Sequence, residues 1–239
     1  MWKEYLRGGV APEQGSAILP RMASVLWLDF EGVVVEAGLT NALLKEFAVQ
    51  PPMASLKHPE LLLAAAISEF EAPRTVVEEW VRDHAMVRPG LEDLVGWAQW
   101  HGWLPIIVST APDLCVETVL EDSAFDRVTR HCGRTQQIYR WRLTYSSPKG
   151  IELEEGFLLS YAAALRDAGD LIVYVGQQED GLPVAHTAYA NCTGGALTQA
   201  LGEGPRSSNF ETLEDVRKVL EKEGEAWKSA FATGASTKR

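Results

Sequence analysis

Val25-Leu26-Trp27-Leu28-Asp29-Phe30-Glu31-Gly32-Val33-Val34 is the stretch whose reading decides the fold. It is apolar, ends on an aspartate, places a second acid two residues later and closes on glycine. A run this short, rich in β-branched and aromatic residues, reads as a buried strand emptying into a tight turn. In an open α/β sheet ligands bind at the carboxyl ends of the strands, which sets Asp29 at the mouth of a site. The same pattern also suits an Asp that ends a strand and caps the next turn. The segment alone leaves both readings open.

Downstream, three helical patterns follow before any second strand. Leu39, Leu43, Leu44 and Phe47 share one face, Pro51 and Pro52 break the pattern, Leu61 to Phe70 forms a second helix, and Pro73 opens a third carrying Val76, Val77, Trp80 and Val81. That is too much chain for one crossover, and it reads as a helical insert beside a sheet. After the Arg88-Pro89-Gly90 turn come a helix (Leu91, Leu94, Val95, Ala98) and a strand from Leu104 to Val108 that ends at Ser109-Thr110. A helix follows Pro112 and Asp113. Alternation at Ile138, Tyr139, Trp141, Leu143 and Tyr145 suits one or two strands. A helix over Gly156 to Ala168 precedes a buried strand, Leu171 to Val175, stopped by Gly176. Ala188 to Cys192 is a short strand, and Leu213, Val216 and Leu220 mark a closing helix.

Strands alternating with helices give the α/β class, with a doubly wound, mostly parallel sheet and a small helical cap after the first strand. The expected layout is a loosely ordered segment over 1–22, a core of 23–35 plus 88–228, a cap over 36–87 and a disordered tail over 229–239.

Composition narrows the function. With 239 residues, 46% hydrophobic and 23% charged, the chain is long and apolar enough to bury a core. A formal net charge of −11 argues against nucleic acid or an anionic membrane as partner, since both attract clustered Lys and Arg. No stretch approaches the roughly 20 apolar residues of a membrane span, and residues 1–21 hold no apolar leader. Cys115, Cys132 and Cys192 form no CxxC pair, so a reducing compartment, the cytoplasm, is expected. His58, His84, His101, His131 and His186 show no ligand spacing, and Trp97, Trp100 and Trp103 read as packing on one flank of a helix.

Three strand ends, Asp29-Phe30-Glu31-Gly32, Ser109-Thr110 and Gly176, together resemble the haloacid dehalogenase (HAD) superfamily. Val87-Arg88-Pro89-Gly90, Tyr174-Val175-Gly176 and Phe210-Glu211-Thr212-Leu213-Glu214-Asp215-Val216 resemble its branch of phosphoserine phosphatases and methylthio-ketopentenyl-phosphate phosphatases. The resemblance spans residues 24–223 and implies a phosphatase of a small phosphorylated metabolite. It makes Asp29 the nucleophile that becomes an aspartyl-phosphate, Glu31 the acid/base, and Ser109, with Thr110 beside it, the holder of a phosphoryl oxygen. Lys149 takes the charge-neutralising place, with Arg166 in reserve.

The family motif also implies Mg²⁺, held by Asp29, the residue at Glu31 and two aspartates after the third strand. Those two positions read Gln177 and Gly181 here, with Glu179 and Asp180 between them as alternative ligands. A Gln amide is a poor ligand for a cation that prefers hard, charged oxygens, and Glu31 stands where the family has Asp. The motifs are degenerate, so the resemblance leaves a second function open: a repurposed or silent HAD-like protein that binds a metabolite or runs metal-independent lyase, dehalogenase or cyclase chemistry. Phe47, Met53 and Leu56 are candidate apolar contacts for the substrate. Oligomeric state is not legible.

Overall fold

The computed structural model describes residues 23–48, 59–121, 125, 127–176, 187–190, 198–200, 205–206 and 211–234. Its strands are β1 (Ser24–Leu28), β2 (Trp103–Pro112), β3 (Thr129–Gln137), β4 (Trp141–Ser146), β5 (Glu152–Leu153), β6 (Leu171–Val175), β7 (Thr187–Ala190), β8 (Thr198–Ala200) and β9 (Pro205–Arg206). Its helices are α1 (Leu39–Phe47), α2 (Pro59–Ser68), α3 (Arg74–His84), α4 (Leu91–Trp100), α5 (Asp113–Val119), α6 (Phe157–Asp167) and α7 (Leu213–Gly234). The nine strands form one sheet in the order β5-β4-β3-β2-β1-β6-β7-β8-β9. β3, β2, β1, β6 and β7 run parallel, and the pairs outside them are antiparallel. The expected doubly wound, mostly parallel α/β sheet with helices inserted after the first strand is the architecture found.

β1 and β6 are near-continuous apolar runs because helices cover both faces of the sheet. On one face α7 lies against Trp103, with Lys228 Nζ 4.7 Å above the indole ring. On the other, Leu104 shares a cavity with Ala163 and Ala164 of α6. α4 buries Leu91, Leu94, Val95 and Ala98, the stripe that a helical period of 3.6 places on one side. No helix of the described residues is long and apolar enough to cross a membrane.

Three local readings are corrected. β2 does not stop at Ser109 but runs on to Pro112, because it bulges: Val108 pairs with His131 while Pro112 pairs with Gly133. Ile138 and Tyr139 belong to no strand; they sit 80% and 98% exposed in the turn joining β3 to β4. α7 continues through Ser229 to Gly234 rather than giving way to a tail, anchored by buried Trp227 and partly buried Phe231. The tryptophan flank also separates: Trp103 is a buried strand residue and Trp100 is exposed.

The insert leaves and rejoins the core side by side. Glu36 N–H donates to the Met86 carbonyl at 3.0 Å, and Arg88 N–H to the Val34 carbonyl at 3.0 Å. Two polar ties fasten its helices down. Arg74, at the start of α3, donates to Thr135 Oγ1 at 3.0 Å and lies 3.9 Å from Asp113, whose carboxylate accepts Thr135 N–H at 2.9 Å. Buried Glu60, in the first turn of α2, accepts Phe157 N–H at 3.0 Å, so the insert caps α6 directly. An anion at a helix N-terminus is favourable by about 1 kcal/mol when partly buried. Glu60→Gln, which keeps an acceptor but removes the charge, is expected to cost about that much in urea unfolding.

Candidate functional site

Asp29 follows β1 at the carboxyl end of the sheet, between β2 and β6, and closes the strand by donating its N–H to the Val175 carbonyl at 2.9 Å. Its side chain lines a crevice of about 380 Å³ with Glu31, Ser109, Thr110 and Ala111 from the core and Thr40, Asn41, Leu44, Pro59, Leu62 and Leu63 from α1 and α2. Three of the expected groups, Asp29, Glu31 and Ser109-Thr110, therefore meet at one place beneath the insert.

Asp29 is 9% exposed. Oδ1 accepts Phe30 N–H at 2.8 Å and Oδ2 accepts the Tyr174 hydroxyl at 3.1 Å, with the Ser109 hydroxyl also bonded to the carboxylate. Burial pushes its pKa from 3.8 to about 6, against the pull of those three donors. The bulge in β2 turns Ser109 toward Asp29, and Ser109 Oγ in turn accepts Ala111 N–H at 3.3 Å. Thr110 is held through its carbonyl, which accepts the Tyr145 hydroxyl at 2.7 Å.

Glu31 lines the crevice, yet both of its oxygens are engaged. Oε2 accepts Gly38 N–H at 3.1 Å and Oε1 accepts Thr40 N–H at 2.6 Å. The longer side chain reaches the N-terminus of α1, where Gly38 takes φ 99°, and caps it. Arg88 fixes the same loop by donating to the Gly32 carbonyl at 3.0 Å.

Lys149 is not brought to this site. β4 runs antiparallel to β3 and carries the chain back to the amino ends of the parallel strands. Lys149 there lines a separate cavity of about 600 Å³ with Ala23, Leu104, Asp167 and Asp170. The reserve residue, Arg166, lies near the end of α6, one residue before Asp167 of that same cavity. Gln177, Glu179, Asp180 and Gly181, along with Met53, Leu56, His58, His186 and Cys192, lie outside the described residues. Phe47 does not face the crevice; it packs on Phe70 and Trp80 at ring distances of 5.7 and 5.9 Å. The apolar wall is Leu44, Leu62 and Leu63 instead.

Tyr174 is the residue that sequence reasoning missed. Its signal was a polar-tipped aromatic in the otherwise aliphatic strand Leu-Ile-Val-Tyr-Val, where a buried hydroxyl needs a partner. Cys115 and Cys132 are buried free thiols, the latter pushed up to about 12 by burial, so neither is an activated nucleophile. His131 is likewise held neutral, its pKa lowered to about 4 by burial and by Arg134.

Among the described residues no group of three or more His, Cys, Asp or Glu converges. Of the candidate ligands, the two among the described residues, Asp29 and Glu31, have their carboxylates on hydroxyl and backbone N–H donors.

No family model matches the chain, and no curated protein matches it. Among solved structures it is similar to a phosphoserine phosphatase from T. onnurineus at 15% identity, over 86% of this chain and 98% of that one, with a TM-score of 0.45. It is also similar to a HAD-family hydrolase from Salmonella enterica serovar Typhi at 13% identity, over 69% of this chain and 60% of that one, TM-score 0.48. A third is cytosolic 5′-nucleotidase IIIB bound to cytidine, at 13% identity over 80% and 75% of the two chains, TM-score 0.44.

Proposed function

We propose that this chain is a phosphatase-type hydrolase of the HAD kind, acting on a small phosphorylated metabolite through Asp29. The observation that carries this reading is the position of the Asp29 carboxylate, beside Ser109 and Thr110 in a crevice at the carboxyl ends of β1 and β2. A volume of about 380 Å³ is that of a small-molecule site. In this reading an Asp29 oxygen attacks phosphorus and the ester P–O bond breaks. The alcohol leaves with a proton from water, and a second water hydrolyses the acyl phosphate to free Asp29 and inorganic phosphate. Ser109 and Thr110 orient the phosphoryl group.

A second reading is favoured by one feature: Glu31 has both oxygens on backbone N–H groups. With its acid/base partner engaged in this way, the crevice suits binding alone or metal-independent lyase, dehalogenase or cyclase chemistry. A panel of phosphate esters, assayed with and without Mg²⁺, separates the two. The first reading expects turnover that falls by about 10³-fold or more in Asp29→Asn. No turnover with any ester leaves the second.

A further inference from the structure

We infer that the cavity between the first half of β3 and the turn after β4 is a second binding site, which takes a small phosphate-like oxyanion on Arg134, His131 and Ser147. It shares no lining residue with the Asp29 crevice, and it stands whether or not the protein cleaves phosphate esters.

The cavity comes from the way two strands part. β4 pairs with β3 only from Arg134 to Gln137, and at Tyr145 and Ser146 it turns to β5 instead. From Thr129 to His131, β3 therefore keeps β2 on one side and has no strand on the other among the described residues. A space of about 460 Å³ opens there, lined by residues 129–132 and Arg134 of β3, by Ser146, Ser147, Pro148 and Gly150, and by Tyr161 of α6. In a chain of net charge −11 its described wall holds two arginines and no aspartate or glutamate.

The wall offers donors. Arg130 adds charge rather than contact, since its guanidinium already donates to Glu117 at 2.6 Å and to the Phe125 carbonyl at 2.9 Å. Arg134 is freer: its side chain is 60% exposed and lies 3.8 Å from Asp113, whose carboxylate Thr135 N–H and Arg74 already engage. Ser147 Oγ accepts Ile151 N–H at 3.1 Å, which leaves its own proton to donate. The His131 ring lies 4.4 Å from that of Tyr161. Its Nε2 is buried with no hydrogen-bond partner, alone in this among side-chain nitrogens and oxygens of the described residues. Such an atom is costly to leave unpaired, and in the wall of a polar cavity it points to a ligand. A guanidinium fork matches two phosphate oxygens, and an imidazole N–H with a hydroxyl completes the set. About 460 Å³ also leaves room for an organic group on the phosphate.

The imidazole resonances of His131 in the full chain, assigned by their loss in His131→Gln, test this while inorganic phosphate or methylphosphonate is added at constant ionic strength. A saturable shift with a dissociation constant in the millimolar range or tighter is expected. A shift with inorganic phosphate alone marks a site for the free anion, and a shift with methylphosphonate as well marks one for the phosphoryl group of an organic molecule. The affinity is expected to fall about tenfold in Arg134→Gln, which loses a charged donor from an exposed side chain. It is expected to stay the same in Asp29→Asn, which separates this site from anion binding in the crevice. No shift with either anion, an equal shift with chloride, or an affinity that Arg134→Gln leaves unchanged would overturn the inference.

Discussion

Asp29→Asn is expected to be more stable than the parent at pH 8 and no more stable at pH 4. The folded carboxyl titrates near 6, against 3.8 for an ordinary aspartate, and burial is the main cause. Between those values the folded chain holds a proton that the unfolded chain has released, so stability falls as pH rises through that window. Below pH 4 both states are protonated and the burial cost vanishes; above pH 6 it is complete. At about 1.4 kcal/mol per unit, the full cost is about 3 kcal/mol. An asparagine carries no charge and keeps an oxygen for Phe30 N–H, so it avoids that cost. In a chain of this length the gain corresponds to a rise of roughly 5 to 10 °C in melting temperature at pH 8. Thermal melts at pH 4, 6 and 8 on both proteins measure it, and a difference that stays constant across pH would remove the buried charge as its source. Higher stability from deleting a charged group is the mark of a residue kept for function.

The fold was largely legible because the central strands announce themselves. Ser24–Leu28 and Leu171–Val175 are covered on both faces, so their composition needs no partner to be read. The insert was legible because helical stripes arrive with no strand between them. What escaped is whatever depends on contacts distant in sequence. The bulge that aims Ser109 exists only because β3 pairs with β2 out of step. Lys149 looked well placed in sequence, but an antiparallel β4 sends it to the other end of the sheet. Glu31 reads as a catalytic acid by position, and only the geometry of the insert shows its oxygens on Gly38 and Thr40. Tyr174 escaped because a strand pattern gives the face of a side chain and not the partner its tip finds.

Gly176→Ala is the second substitution with a large expected effect, and Tyr174 is the reason. Gly176 has no left-handed φ that would call for glycine; the constraint is space. The added methyl carbon would stand 2.1 Å from the Tyr174 hydroxyl oxygen and 2.3 Å from Cζ. The ring does not swing aside, because Trp27 packs against it edge-on. Overpacking a rigid core site costs typically 1–3 kcal/mol, so about 3 kcal/mol is expected here, read as a lower urea midpoint. Tyr174→Phe gives little relief, since Cζ remains in the way, whereas Tyr174→Leu removes the clashing atoms. The cost of Gly176→Ala is therefore expected to fall to about 1 kcal/mol or less in the Tyr174→Leu background, a coupling well above the error of a double-mutant cycle. Equal costs in both backgrounds would mean that the loop after β6 demands the glycine. The phenol would then not be the source of the constraint at residue 176.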